Sequence, residues 1–436
     1  PYAYVGEEIV HDGQTVIRPG EIRYNDPCSY RRTTLSDGLT VRYDAGSFSV
    51  ASITSYQYSD DEMILDQDFL PLSYFTLRQA RTEHSVTEDL VFRSRGDKAY
   101  RWLLGAFGFY RHGTMNAPVH FKQTGIEELI LKYANENDQS YRYSWGLKDG
   151  TGGDELFLRS DFRMPSAGGA LYHESNYTLG RWRFTAGLRF DFEHARLRYR
   201  NYTDTWYTKT HIKNETAYER PIDIDDRSTL KQTFTELLPK FSVMYSFDET
   251  RNLYLTIAKG YKSGGFNTQI FSDVLQQKMM NRMGIGEVYD VQRGVAYKPE
   301  YSWNYEIGGH FSCMEGAVRG DFALFYIDCR DQQLTVFPPG QTTGRMMTNA
   351  GRTRSLGAEA AVQISPWRTF DINLAYGYTD ARFVRYETTV KNDDGDPVRI
   401  SYKDNRIPYA PQHTLSAGAA WTVPTGVKWL GDLGFQ

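Results

Sequence analysis

The sequence has no run of about 18 apolar residues, so no part of it reads as a transmembrane helix. Its three cysteines cannot all pair, and Cys313 and Cys329 fall near opposite ends of one expected strand and its turn. At about 3.3 Å per residue they are on the order of 40 Å apart, so no bridge is expected between them. Neither charge sign dominates: the net charge is −4, which gives no reason to expect nucleic acid as a partner. No GxSxG, Walker loop, HExxH or CxxC occurs, and the nine histidines are scattered. No enzyme activity, cofactor or metal site is expected. The chain opens PYAYVGEE, without the basic and apolar segments of a secretory signal, and so reads as cytoplasmic or as an internal portion of a longer precursor.

What is present is aromatic. The apolar fraction is 40%, and much of it comes from 32 Tyr, 24 Phe and 8 Trp, accompanied by 38 Gly. Mean hydropathy is only −0.57. A β-barrel in a membrane hides its apolar face from such averages, because apolar and polar residues alternate along each strand. WRFTAGLRFDFE shows that alternation. Trp182, Phe184, Ala186, Leu188, Phe190 and Phe192 share one face, opposite Arg183, Thr185, Gly187, Arg189, Asp191 and Glu193. The pattern recurs at Tyr301, Trp303, Tyr305 and Ile307 opposite Glu306, and at Phe370, Ile372, Leu374 and Tyr376 opposite Asp371 and Asn373. LLGAFGFY, from Leu103 to Tyr110, is apolar on both faces.

Connection lengths alternate too. Short turns are expected at 45–47, 94–98, 179–181, 247–251, 313–316, 365–368 and 424–428. Long polar stretches separate them, near 59–76, 114–156, 201–232, 267–299, 335–351 and 387–412. One end of the structure is tight and the other elaborated, as in outer-membrane barrels. The polar face decides what covers the apolar one. Arg183, Arg189, Asp191 and Glu306 at regular inward positions would each cost several kcal/mol in a dry core. A water-filled lumen removes that penalty and leaves the aromatic face in lipid. The expectation is an all-β, antiparallel transmembrane barrel with about fourteen strands visible; a soluble sandwich or solenoid is the competing reading. Ragged ends favour a slice of something larger, with Pro1 not the mature terminus.

From residue 237 onward the sequence resembles the barrel of TonB-dependent outer-membrane receptors. The matching stretches are LLPKFSVMYSF, NLYLTIAKGYKSGGFN, KPEYSWNYEIGGHF, ALFYIDCRDQQL, TNAGRTRSLGAEA, YGYTDARF and IPYAPQHTLSAGAAW, in family order. The resemblance implies a 22-stranded barrel closed by an N-terminal plug that this chain lacks, with 1–436 a portion of the barrel domain beginning a few strands in and ending about three before its close. It implies energisation by the TonB inner-membrane complex through that plug, outer-membrane lipid around the wall, and Glu306 and Glu359 facing the lumen where charged residues touch the plug. The implied function is active import of a scarce large solute, with an iron chelate (siderophore or haem) preferred and cobalamin or oligosaccharide open. A passive porin-like channel is the runner-up, and an adhesin or enzyme displayed on a barrel a third class.

The resemblance and the loop composition together nominate Tyr261, Phe266, Asn267, Phe337, Arg345 and Tyr386 as ligand contacts, aromatic rings supplying area and Arg or Asn a polar hold. Met279, Met280 and Met283 in QQKMMNRMG, and Met346 with Met347, could meet haem or an apolar ligand, but loop packing is the preferred reading. DVLQQKMMNRMG has the spacing of a short helix. The acidic clusters Asp223, Asp225, Asp226 and Asn392, Asp393, Asp394, Asp396 do not fit an EF-hand and read as solvated loop carboxylates.

Overall fold

Alternating segments joined by tight turns pair antiparallel, and the computed structural model shows one large sheet of that kind. It describes residues 8–11, 13–21, 23–66, 71–137, 143–149, 155–285, 294–336, 346–391, 397–424 and 433–435. Fourteen strands form its main path: β1 (Ser29–Asp44), β2 (Phe48–Asp66), β3 (Phe75–Ser94), β4 (Tyr100–Asn116), β5 (Leu156–Leu179), β6 (Trp182–His211), β7 (Ala217–Ser246), β8 (Asn252–Lys262), β9 (Glu300–Cys313), β10 (Val318–Val336), β11 (Met346–Trp367), β12 (Phe370–Arg385), β13 (His413–Val423) and β14 (Leu433–Phe435). Each pairs with its sequence neighbours along this path, two short strands off it add to the sheet (Val119–Phe121 against β3 and β5, Tyr143–Asp149 against β6), and β1 and β14 do not pair with each other among the described residues.

Register fixes the faces. Across β5, β6 and β7 the pairs Leu171↔Phe190↔Leu237 and His173↔Leu188↔Pro239 lie on one side. Tyr172↔Arg189↔Leu238 and Ala170↔Asp191↔Glu236 lie on the other. The aromatic side is open: Leu188 is 49% exposed, Phe190 47% and Leu237 50%. A soluble protein does not leave such a contiguous apolar wall uncovered; a lipid-facing barrel does. No described helix is long and apolar enough to cross a membrane.

The turns at Gly46, Gly180, Asp248, Glu315 and 368–369 all sit at one rim, since Asn252 pairs with His310 and Val318 with Ile364. At the other rim two expected loops prove largely to be strand. Residues 201–232 continue β6 and β7 as an unbroken ladder up to Thr210↔Ala217, and β2 and β3 extend to Asp66 and back from Phe75. The polarity of both faces concealed the first extension. Its Thr, Tyr and Ile content nonetheless suits a strand, and Thr203, Thr205, Ile222 and Ile224 are buried on the inward side. All three cysteines are free.

Candidate functional site at the mouth of the lumen

The inward face is polar and internally paired. Arg189 Nε lies 2.7 Å from Asp191, and the guanidinium sits over Phe107 and Tyr172 at 5.6 and 5.5 Å. Tyr172 donates to Asp89 at 2.7 Å, and its ring occupies the space a side chain at Gly105 would need, where an added Cβ would lie 2.1 Å from it. The doubly apolar stretch on β4 is thereby explained, since its inward Phe107 faces a cation rather than a core. Lys240 pairs with Glu174 at 3.0 Å, and Tyr254 donates to Glu306 at 2.9 Å. Glu359 opposes Ala323 and Gly377, and Arg183 opposes Thr178 and Met244, so the register puts both on this same face. Towards the short-turn rim the wall holds a cavity of about 750 Å³ lined by His310, Arg319, Asp321, Gln363, Asn373 and neighbours.

At the other rim the connections fold inward over the lumen. The segment 123–137 (α1) is helical, with a π-type turn at Ile126–Leu131, and buries Ile126, Ile130 and Leu131. The segment Phe271–Met283 (α2) ends on Gly284, left-handed at φ 82°, a conformation glycine adopts without a Cβ clash. The expected helix in this loop is present, and it starts before Asp273. Val274, Leu275, Met279 and Met283 are buried, with Met279 at 0% exposure. Those methionines are packing residues. Leu275, Met279 and Met283 join Ile126, Ile130 and Leu131 in one cluster, while Phe271 packs with the inward Phe162 and Leu197 of the wall. Two loop helices and the inner wall thus share an apolar core inside the mouth.

Buried amides lock this lid to the barrel. Asn267 is 6% exposed; its amide nitrogen donates to Gly294 O (2.8 Å) and Met347 O (2.9 Å), and its oxygen accepts from Met347 N (2.7 Å). Gln333 Nε2 donates to Ser263 O at 2.8 Å and Lys298 O at 3.1 Å. Asn201, fully buried, accepts from Ser160 Oγ at 2.7 Å and donates to Phe271 O at 2.9 Å. The sequence offered no sign of Asn201 or Gln333, because an amide that ties a loop looks like any polar loop residue. Gly264 is required where the chain passes Tyr297, since an added Cβ would meet that carbonyl at 2.4 Å.

The six nominated ligand contacts divide. Phe266 packs against the Phe162–Phe271 cluster, and Asn267 spends its amide on backbone groups. Tyr261 pairs with Tyr301, ring centroids 5.9 Å apart, near Lys259, whose ammonium pairs with Glu236 at 2.9 Å. Tyr386 belongs to a separate aromatic set, 5.2 Å from Phe383 and stacked 5.3 Å from Tyr402. Burial, with Tyr402 beside it, raises its phenol above the usual range. Phe337 and Arg345 lie outside the described residues, as do Asn392 to Asp396. Of the other acidic cluster, Asp226 pairs with Lys278 of α2 at 2.5 Å, and Asp225 is held well below the usual carboxylate range by hydrogen bonds from Arg227 and Arg200. With Arg282 they line a cavity of about 470 Å³. No group of three metal-ligating side chains converges among the described residues.

Similarity to known proteins follows this geometry. Residues 4–435 match the family described as TonB dependent receptor-like, beta-barrel. The pesticin receptor of Yersinia enterocolitica is 26% identical over 197 residues, 45% of this chain and 24% of that receptor. The ferric yersiniabactin uptake receptor FyuA from Yersinia pestis superimposes with a TM-score of 0.58 at 16% identity, covering 94% of this chain and 50% of that one. The siderophore receptor PiuA from Acinetobacter baumannii gives 0.58 at 12%, covering 92% and 55%. The chain therefore spans about half the length of these solved relatives, or less of the curated ones, and at such identities the structural likeness speaks for the fold alone. With the family match running almost end to end, the chain belongs to the β-barrel family of the TonB-dependent outer-membrane receptors.

Proposed function

We propose that this chain is the barrel wall and ligand-gathering mouth of an outer-membrane importer that takes up an iron chelate and is energised by the TonB complex through a plug. One observation carries the reading: inward-folded loops, stapled by Asn267, Gln333 and Asn201, narrow the mouth above a wall of fixed charges. A binding protein needs a preorganised entrance of that kind; a diffusion pore is served by an open one. Support for an iron chelate comes from the relatives, FyuA being a ferric yersiniabactin uptake receptor and PiuA a siderophore receptor. Tyr261 and Tyr386, together with Phe337 and Arg345, are the proposed ligand contacts, while Phe266 and Asn267 hold the scaffold. Arg183, Arg189, Asp191, Glu306 and Glu359 are the proposed plug-facing wall.

The test is uptake of a radiolabelled ferric chelate by cells expressing the full-length protein, with and without the proton gradient. Import that vanishes when the gradient is collapsed supports the proposal. Gradient-independent entry of small solutes would make the protein a porin-like channel instead.

A further inference from the structure

Two ionisable side chains stand on the lipid face of the wall. Leu90↔Ala106↔Leu171↔Phe190 is an outward rung across β3, β4, β5 and β6. The next outward rung towards the long loops is Glu88↔Gly108↔Gly169↔Phe192, and the next towards the tight turns is Phe92↔Leu104↔His173↔Leu188. Glu88 and His173 therefore point the same way as Leu188 and Phe190. Each lies six residues from the end of its strand at the tight-turn rim, Ser94 for Glu88 and Leu179 for His173. At about 3.3 Å per residue and a tilt of about 40°, both sit roughly 15 Å above that rim, near the middle of an apolar band about 25 Å tall.

Ionisable groups at that depth are expensive in lipid and mark functional contacts. Neither of these has a counter-ion in its own wall among the described residues. Glu88 is met only by hydroxyls, accepting from Ser52 Oγ at 2.6 Å and Thr54 Oγ1 at 2.5 Å. His173 is exposed and engages Ser175 Oγ through Nε2 at 2.8 Å, which leaves Nδ1 without a partner among the described residues. The other outward groups nearby are already engaged: His84, four positions along β3, with Tyr56 at 3.0 Å, and Asp37 of β1 with Gly38 N at 2.9 Å. Between Glu88 and His173 runs β4, whose residue at the same height, six from Tyr100, is Ala106. With Gly108 and Gly169 beside it, Ala106 presents little bulk, and small residues let two membrane-embedded walls approach closely.

We propose that two copies of this chain pair through this face, about a two-fold axis along the membrane normal at Ala106, with Glu88 of each copy meeting the partner's His173. A two-fold interface has to be complementary to itself. Rotation about that axis keeps height and exchanges the two flanks of β4, so it brings the carboxylate on one flank opposite the imidazole on the other. Nδ1–H then donates to a Glu88 oxygen while Nε2 keeps its contact with Ser175. Both groups leave lipid together, twice per dimer, and the hydrogen bonds they gain across the interface offset the cost of placing them in the band. The inference goes beyond the proposed function: it needs only the lipid-facing wall and is independent of what is imported.

The experiment places the full-length receptor, labelled with donor and acceptor dyes, in phosphatidylcholine vesicles and follows energy transfer against the protein-to-lipid ratio. Glu88→His alone and His173→Glu alone set like groups opposite each other and should each weaken pairing about tenfold, since the contact occurs twice per dimer. The double exchange, Glu88→His with His173→Glu, restores an unlike pair at both contacts and should return pairing to within about threefold of wild type. Ala106→Cys, with Cys28, Cys313 and Cys329 replaced by serine, should give a disulfide-linked dimer on mild oxidation, whereas Leu374→Cys, outward on β12, should not. If an exchanged variant does not assemble, Glu88→Gln and His173→Leu are read in its place, each expected to weaken pairing by a few-fold or more. Energy transfer no greater than that of an unrelated barrel, undiminished pairing in the assembled single variants, or a double exchange no better than the singles would each overturn the proposal.

Discussion

Leu188→Arg is the sharpest probe of the lipid face. Leu188 lies six residues beyond Trp182, at the start of β6, and is outward by register and half exposed. Six residues at about 3.3 Å and a tilt of about 40° raise it roughly 15 Å, close to the middle of a band about 25 Å tall. An arginine there should destabilise the barrel by about 2–4 kcal/mol, while Trp182→Arg at the rim should cost about 0–1 kcal/mol apart from its lost ring packing. The control is on neighbouring residues of β12: Leu374 points outward, paired with Val362 and Ala417, and Asn373 inward, paired with Gln363 and Gly418. Leu374→Arg should therefore cost more than Asn373→Arg at the same depth. Equilibrium unfolding of the full-length protein in lipid vesicles measures all four. Equal losses at 373 and 374, or a rim substitution as damaging as the central one, would refute the assignment of faces.

Asn267→Ala removes three hydrogen bonds from a buried site and should weaken the local closure of the 263–299 connection by about 1–3 kcal/mol. Faster limited proteolysis there, with an unchanged barrel melting temperature, is the expected result. Met279→Glu, burying a charge in the α1–α2 cluster, should release both loop helices and raise amide exchange across 271–283. Tyr261→Ala and Tyr386→Ala should each weaken binding of a ferric chelate by the full-length receptor about five- to tenfold, read by fluorescence quenching, with no change in barrel stability. Because the folded pKa of Asp225 is depressed, its ion pairs stabilise above the ordinary carboxylate pKa of about 4 and are lost as pH falls through the lower folded value. Melting curves of Asp225→Asn should thus differ from wild type by a constant amount between pH 7 and 5, with the difference shrinking only in stronger acid.

Period-two alternation within strands, together with the alternation of connection lengths, was enough to set strand identity, the wet and oily faces, the rim of tight turns and a polar inner face. A one-residue slip would turn every Phe of β6 inward, so the pattern excludes every odd slip of register. Family membership was legible for the same reason, since its marks are strand and turn sequences. The tertiary structure decided whatever depends on partners distant in the chain. Residues 201–232 are strand rather than loop because their inward Thr and Ile find a core supplied by α1 and α2, which no local pattern announces. Asn267 and Asn201 serve as staples because carbonyls 27 to 80 residues away come within hydrogen-bond reach. Arg163 and Arg198 were two unremarkable loop-side arginines until the sheet register set them side by side; like charges meet that way only when the fold, and not the chain, chooses the neighbours.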